Sequence, residues 1–390
     1  LSTAVFIIIS LRLIVALLGV GIVLFTVMTA VRTFVLPRGE NAWLSRQVFR
    51  VVYRFFLLLA YKKKSYDERD HILALFSPVV LLVLPIVYLA LIVIGYTPIY
   101  WVLNPAPLSR ISLVEAFHLS GSSLMTLGFA AVNQYDIPAM IVSFSEAALG
   151  MILVALLIAY LPTIYGAFSK REKLVAMLEV RGGTPPSGVT ILQRVYRNRG
   201  DVSALNTVWE RWEEWFAEIE ESHTSLVALV FFRSPMPDRH WVTAAGAVLD
   251  AASLLDATVD EPRSVASVLV IRAGYVSLRR IADYFGNIPY NPDPAPDDRI
   301  SITREEFNEA YDALQQAGIP VVEDQDEAWR HFSGWRVNYD RVLVGLARLT
   351  SAPYALWSSD RSLPDMRTIP GISPFAEMEY KPVYEKKKRT

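Results

Sequence analysis

The sequence predicts a mainly α membrane protein, on three observations. The apolar residues, 53% of the 390, concentrate before residue 170 in unbroken runs long enough to cross a bilayer. Beyond residue 189 apolar positions recur at helical spacing instead, as in a protein folded in water. Few stretches alternate with period two, so strands are not expected. The predicted architecture is three spans followed by an α-helical cytoplasmic domain.

Composition removes several function classes. The chain has no cysteine, which excludes disulfides, thiolate metal sites and cysteine nucleophiles. Lys and Arg number 38 against 39 Asp and Glu, a net charge of −1, so no surplus of positive charge argues for nucleic acid as a partner.

In chain order, the first predicted span is Ala4 to Leu36, too long and uninterrupted for a signal peptide. Its Arg12 either snorkels or pairs within the bundle. The second is Ile72 to Tyr96 and the third Ile137 to Phe168. Lys and Arg cluster between the first two spans (Arg32, Arg38, Arg46, Arg50, Arg54 and Lys62 to Lys64) and after the third (Lys170, Arg171, Lys173), whereas residues 97 to 136 carry only Arg110. The positive-inside rule then sets residues 97 to 136 and the amino-terminal end outside and the large carboxy-terminal region in the cytoplasm. Residues 42 to 61 alternate arginines with bulky apolar residues at helical spacing, which predicts an amphipathic helix along the inner membrane surface; a short fourth span is the alternative.

Residues 97 to 136 hold the most informative segment. Ser112-Leu113-Val114-Glu115 is a capping box opening a short helix through Met125, too short and too polar to cross a membrane. It must enter and return. Thr126-Leu127-Gly128-Phe129-Ala130 follows, a composition suited to extended backbone, which at membrane depth is tolerated only inside protein or along a watery path.

Outer span, re-entrant helix, Thr126-Leu127-Gly128-Phe129-Ala130 and inner span together resemble the pore unit of the tetrameric potassium-channel superfamily, whose filter reads T-V-G-Y-G. The resemblance covers about 100 of the 390 residues, 71 to 170. Gly150 lies 22 positions after Gly128, where many members carry a glycine that lets the inner helix bend, and Pro162 adds a second break. The plainer reading of Gly150 is small-residue packing between spans. The resemblance implies a homotetramer in the lipid bilayer with carbonyls of Thr126, Leu127, Gly128, Phe129 and Ala130 facing one axis. Potassium, or a less selective mixture with sodium, is the implied permeant ion, and no cofactor, resident metal or catalytic residue is implied. The departures are Ala130, where the family has its second filter glycine, and Ala131, where an acidic residue is common. Alanine resists left-handed backbone by about 1–2 kcal/mol, so the outer carbonyl ring is expected to be turned away or widened, and potassium-selective and non-selective conduction both stay open. A non-conducting signalling or scaffold protein derived from a channel is the alternative.

An ionisable residue inside a span is a functional candidate by default. Glu146 is expected to face the cavity, to support the filter by bonding Ser122 or Ser123, or to be a neutral acid satisfied by a neighbouring helix. His118 is read as a packing residue before a proton sensor.

Arg181 to Gly188 is turn-rich and marks a domain boundary. Helices are predicted over 189–198, 202–233, 238–258, 262–285, 303–317 and 325–349. Trp209, Trp212 and Trp215, beside Glu210, Glu213 and Glu214, read as an apolar stripe with an acidic reverse face. Residues Asn291 to Asp298 form an acidic, proline-rich loop that lacks the glycine turn and terminal glutamate of an EF-hand. No nucleotide-binding or zinc-protease motif occurs. The predicted organisation is therefore a first span over 1–40, an interfacial helix and linker over 41–70, a pore domain over 71–170, a linker over 171–188, a helical cytoplasmic domain over 189–349 and an extended arm over 350–390 ending in the basic run Lys386 to Arg389. What regulates such a domain is not legible in it.

Overall fold

The computed structural model describes residues 2–34, 36, 43–103, 112–128, 137–285 and 288–361. Among them the chain is mainly α, with no strand beyond one isolated bridge between Val259 and Val321. In order, the helices are α1 Ser2–Phe34, α2 Trp43–Tyr61, α3 Tyr66–Ala74, α4 Phe76–Leu103, α5 Leu113–Leu124, α6 Ile137–Gly182, α7 Gly188–Arg199, α8 Asn206–Ser225, α9 Trp241–Thr258, α10 Val265–Phe285, α11 Arg304–Gln316, α12 Gln325–Arg336 and α13 Asp340–Leu349. Three segments are long and apolar enough to span a membrane: Ser10–Phe34, Tyr66–Leu103 and Ile137–Gly182; α2 is not among them. The chain divides into one compact unit of residues 1–51 and 78–165 and another of 52–77 and 166–390.

Two boundaries differ from the sequence reading. Helix α6 does not stop at Phe168 but runs to Gly182, because Lys170 to Val180 contains no glycine or proline and is rich in good helix formers. Most of the predicted linker 171–188 is thus helix. The predicted helix 325–349 is broken between Arg336 and Asp340.

In the first unit α1 crosses α4 at a pair of glycines. A Cβ on Gly19 would lie 2.3 Å from the Gly95 carbonyl oxygen, so the contact exists only because both side chains are absent. Hydroxyls of Thr33, Ser45 and Tyr88, from α1, α2 and α4, close a triangle with edges of 2.7, 2.9 and 2.8 Å. Arg12 stacks over Trp101 at 4.8 Å, so its charge is met by an aromatic face on α4. Helix α2 is amphipathic as predicted, but Leu44, Val48 and Phe49 pack against Ala30, Leu84 and Tyr88. Its role is therefore more than lying on lipid.

The second unit is built around α9, where all residues but one are buried. Helices α7, α10, α12 and α13 pack around it. Such a helix has no polar face to give an amphipathic signal. Trp209, Trp212 and Trp215 of α8 are all buried in the same core. At its centre Arg336, fully buried, donates to Asp250 at 2.5 Å and to Asp340 at 2.7 Å, and the Tyr339 hydroxyl donates to Asp250 at 2.9 Å. The helix is interrupted beside this cluster, where Tyr339 leaves helical geometry at φ −125°, and Asp340 at the start of α13 accepts from the Ser301 amide at 2.9 Å. Burial pushes the Asp250 carboxyl up from its ordinary value, although Arg336 pulls in the opposite direction. Arg336 also donates to the Trp357 carbonyl, and Arg361 grips Glu306 with two nitrogens, holding residues 350–361 against the domain. The rest of the predicted arm, with the Lys386 to Arg389 run, lies outside the described residues.

The end of α6 enters this unit through Arg171, which is 2% exposed and donates to the Leu229 and Phe232 carbonyls, each at 2.7 Å. The Trp215 indole donates back to the Arg171 carbonyl at 3.1 Å. Arg233 pairs with Asp70 of α3 and donates to the Thr350 and Ser351 carbonyls. His223 and His240 are buried beside these arginines; burial, then the Arg171 charge for His223 and the Arg233 and Arg171 charges for His240, push both imidazoles well below 6.5. Both are neutral when folded and take up protons when unfolded, so the stability they support is complete above pH 6.5 and falls as pH drops through it toward their folded values. The slope is about 1.4 kcal/mol per pH unit for each histidine. Unfolding midpoints measured between pH 7.5 and 5 should fall on the acid side, and His223→Gln should flatten the fall; equal slopes in both proteins would mean that His223 is not the group that titrates.

Candidate functional site

Helix α5 and the residues after it form the site. Its start is the capping box predicted from sequence: the Ser112 hydroxyl accepts from the Glu115 amide at 3.2 Å and the Glu115 carboxylate from the Ser112 amide at 2.6 Å. Its end is as well defined. The Leu127 amide donates to the Ser122 carbonyl at 2.9 Å and the Thr126 amide to the Ser123 carbonyl at 3.0 Å, the paired bonds of a Schellman motif with Thr126 in the left-handed position. Thr126 has φ +54° and Gly128 φ +74°. The expectation of extended backbone is therefore corrected at Thr126, since Met125 and Thr126 close the helix in a turn, and Gly128 is also left-handed. Glycine is the usual residue there, and a β-branched one costs about 1–2 kcal/mol. A Cβ on Gly128 would meet no atom within 4 Å among the described residues, so the demand for glycine visible there is one of backbone conformation.

One face of α5 is buried on α4 and α6. Ala116, Leu119 and Leu124 join Val23, Ile92, Tyr96 and Tyr100 in an apolar cluster. Beside it runs a polar seam. Glu146 of α6 is fully buried, and its Oε1 accepts from the Ser120 hydroxyl at 2.5 Å. The Ser120 hydroxyl also lies 3.3 Å from the Val93 carbonyl of α4. The second carboxyl oxygen, Oε2, has no hydrogen-bond partner among the described residues, and the buried Tyr100 hydroxyl interacts with the carboxyl without reaching hydrogen-bond geometry. Tyr96 bonds Ser145 at 3.0 Å and Ser123 bonds Ser143 at 2.9 Å.

Of the candidates read from the sequence, Glu146 thus packs against α5, where Ser120 donates to it, while Ser123 bonds Ser143. Ser122 and Ser123 are buried in α5 and contribute their carbonyls to the helix cap. Sequence reasoning missed Ser120, Tyr96 and Tyr100; the signal available was that Ser120 lies on the same helical face as Ala116 and Ser123. His118 and Phe117 are on the exposed face of α5. Thr126, Leu127 and Gly128 are exposed, whereas Phe129, Ala130 and Ala131 lie outside the described residues.

Gly150 is inside continuous helix, and a Cβ there would lie 2.2 Å from the Leu124 carbonyl oxygen, the last helical residue of α5. The structure shows close packing of α6 on the end of α5 at this glycine. Pro162 also lies inside α6 without ending it. The Thr163 hydroxyl accompanies it, donating to the Ala159 carbonyl at 3.0 Å. No family model, curated protein or solved structure matches the chain.

Proposed function

We propose that the chain is one subunit of a homotetrameric channel that passively conducts monovalent cations, potassium or a less selective mixture with sodium, along the backbone of Thr126, Leu127, Gly128, Phe129 and Ala130. In this reading residues 97 to 136 face outward, the region after α6 is cytoplasmic, and no residue is catalytic. One observation carries it: α5 is a short, doubly capped helix seated on two candidate spans, and it delivers Met125 to Gly128 to an end that is exposed among the described residues, with left-handed backbone at Thr126 and Gly128. Within a bilayer such backbone must be covered by protein or line water. Copies of the same segment around an axis supply that cover. The third candidate span fits the same arrangement, because only 11% of its most apolar window is buried within one chain, against 50% for the second.

In this reading Glu146 and Ser120 hold α5 at a set depth behind the filter, with Thr126 as the innermost oxygen ring and Gly128 as the position whose carbonyl needs the left-handed angle. The test is flux from liposomes, with potassium and sodium compared, after the oligomer has been sized in mild detergent. A tetramer with cation flux is expected, and Glu146→Gln, which keeps an oxygen for Ser120, should alter conductance or the potassium-to-sodium ratio while leaving the tetramer intact. A tetramer without flux would favour the scaffold reading. A stable monomer would remove the pore, and unchanged permeation in the variant would make Glu146 purely structural.

A further inference from the structure

Past Lys170, helix α6 forms one wall of a groove of about 410 Å³ closed by α7 and α8. Its floor is apolar, with Leu178, Val208 and Trp212 among the lining side chains, and its rim carries Arg181 from α6, Arg199 from the last turn of α7 and Arg211 from α8. No acidic side chain lines it. None of the three guanidinium groups forms an ion pair among the described residues: Arg181 donates to the carbonyl of Met177 in its own helix, at 3.2 Å, and Arg199 and Arg211 are exposed. Other arginines of this unit are ion-paired, as Arg233 is with Asp70, Arg280 with Glu220, Arg336 with Asp250 and Arg361 with Glu306. What sets this place apart is the convergence of three arginines on one apolar hollow with no acidic side chain in its lining; the nearby Asp201 feels the Arg199 charge but does not line the groove. Its volume is that of a small-molecule pocket, about 300–1,000 Å³.

We propose that this groove binds an anionic amphiphile, a single apolar chain ending in a carboxylate or phosphate, with the chain on the Leu178, Val208 and Trp212 floor and the anion on the three arginines. Guanidinium forks suit either head group, and charge-assisted bonds are the strong ones. Neither an apolar ligand nor a small anion uses both halves of the site. A bound molecule would tie the end of α6 to α7 and α8, and the same helix forms the third candidate span. The binding claim stands whether or not the chain conducts, since its readout is bound ligand.

The test uses the full chain in phosphatidylcholine nanodiscs and counts dodecanoate bound per chain, with uptake by empty discs subtracted. One saturable site per chain is expected, with dodecanol and inorganic phosphate at least tenfold weaker. Arg211→Gln should weaken dodecanoate about tenfold and the Arg199→Gln/Arg211→Gln pair about a hundredfold, from roughly 1.5 kcal/mol or more for each bond to a charged group. Both positions are exposed, so the fold is retained, and Arg197→Gln, an exposed arginine of α7 outside the groove, should bind as the parent does. Equal binding by Arg211→Gln and the parent, or by dodecanol and dodecanoate, would overturn the proposal. Loss of dodecanoate uptake when phosphatidylglycerol is added to the discs assigns the site to a membrane lipid, and retained uptake assigns it to a free acyl anion; both support it.

Discussion

Replacing Gly150 by alanine is expected to dislodge α5 and to destabilise the protein by about 3 kcal/mol or more, at the upper end for overpacking a filled site. The new methyl would sit 2.2 Å from the Leu124 carbonyl oxygen, a backbone atom at the end of a capped helix, which cannot move aside as a flexible side chain does. The gain from alanine's better helix propensity, about 1 kcal/mol, offsets only part of this. Gly166 in the same helix supplies the control, because a Cβ there meets nothing within 4 Å among the described residues. Gly166→Ala should leave the melting temperature unchanged or raise it. Thermal unfolding of both variants in one detergent decides the matter, and equal midpoints would mean that α5 does not rest on Gly150. If the glycine acted as an open hinge instead, alanine would change flux without changing stability.

Arg336→Met should cost the helical domain about 3–5 kcal/mol, the range for removing one partner of a buried ion pair. Methionine fills much the same volume, so packing loss is minor. What is lost is the cation between Asp250 and Asp340, with each carboxylate 2% exposed, and the bond that holds the Trp357 carbonyl. Asp250→Asn added to Arg336→Met should recover part of the loss, since one stranded charge is then removed, whereas Asp340 still accepts from Ser301. Midpoints for the parent, the single and the double variant test this. A single-variant loss below about 1 kcal/mol would place the cluster with the solvated surface pairs.

How much was legible beforehand follows from the range of each interaction. Span existence, the capping box at Ser112, the tryptophan stripe of α8 and the helix starts at Thr303 and Gln325 were all readable, because hydropathy, caps and helical periodicity are written within a few consecutive residues. The left-handed turn at Thr126 was half legible. Composition there refused a helix, but only the bonds back to Ser122 and Ser123 show that threonine occupies a position where glycine is usual.

The sequence by itself determined a mainly α chain with three apolar segments of spanning length, a short capped helix between the second and third, and a helical region after them, since each is a local property of consecutive residues. Tertiary structure alone decided the rest. It chose Ser120 as the partner of Glu146, made Gly150 a contact with Leu124, broke the last predicted helix around Arg336 and buried Arg171, which the sequence reading had counted only as a flanking charge. Each of these joins residues distant in the chain, and the choice among many chemically equivalent serines, glycines and arginines is made by which surfaces pack together.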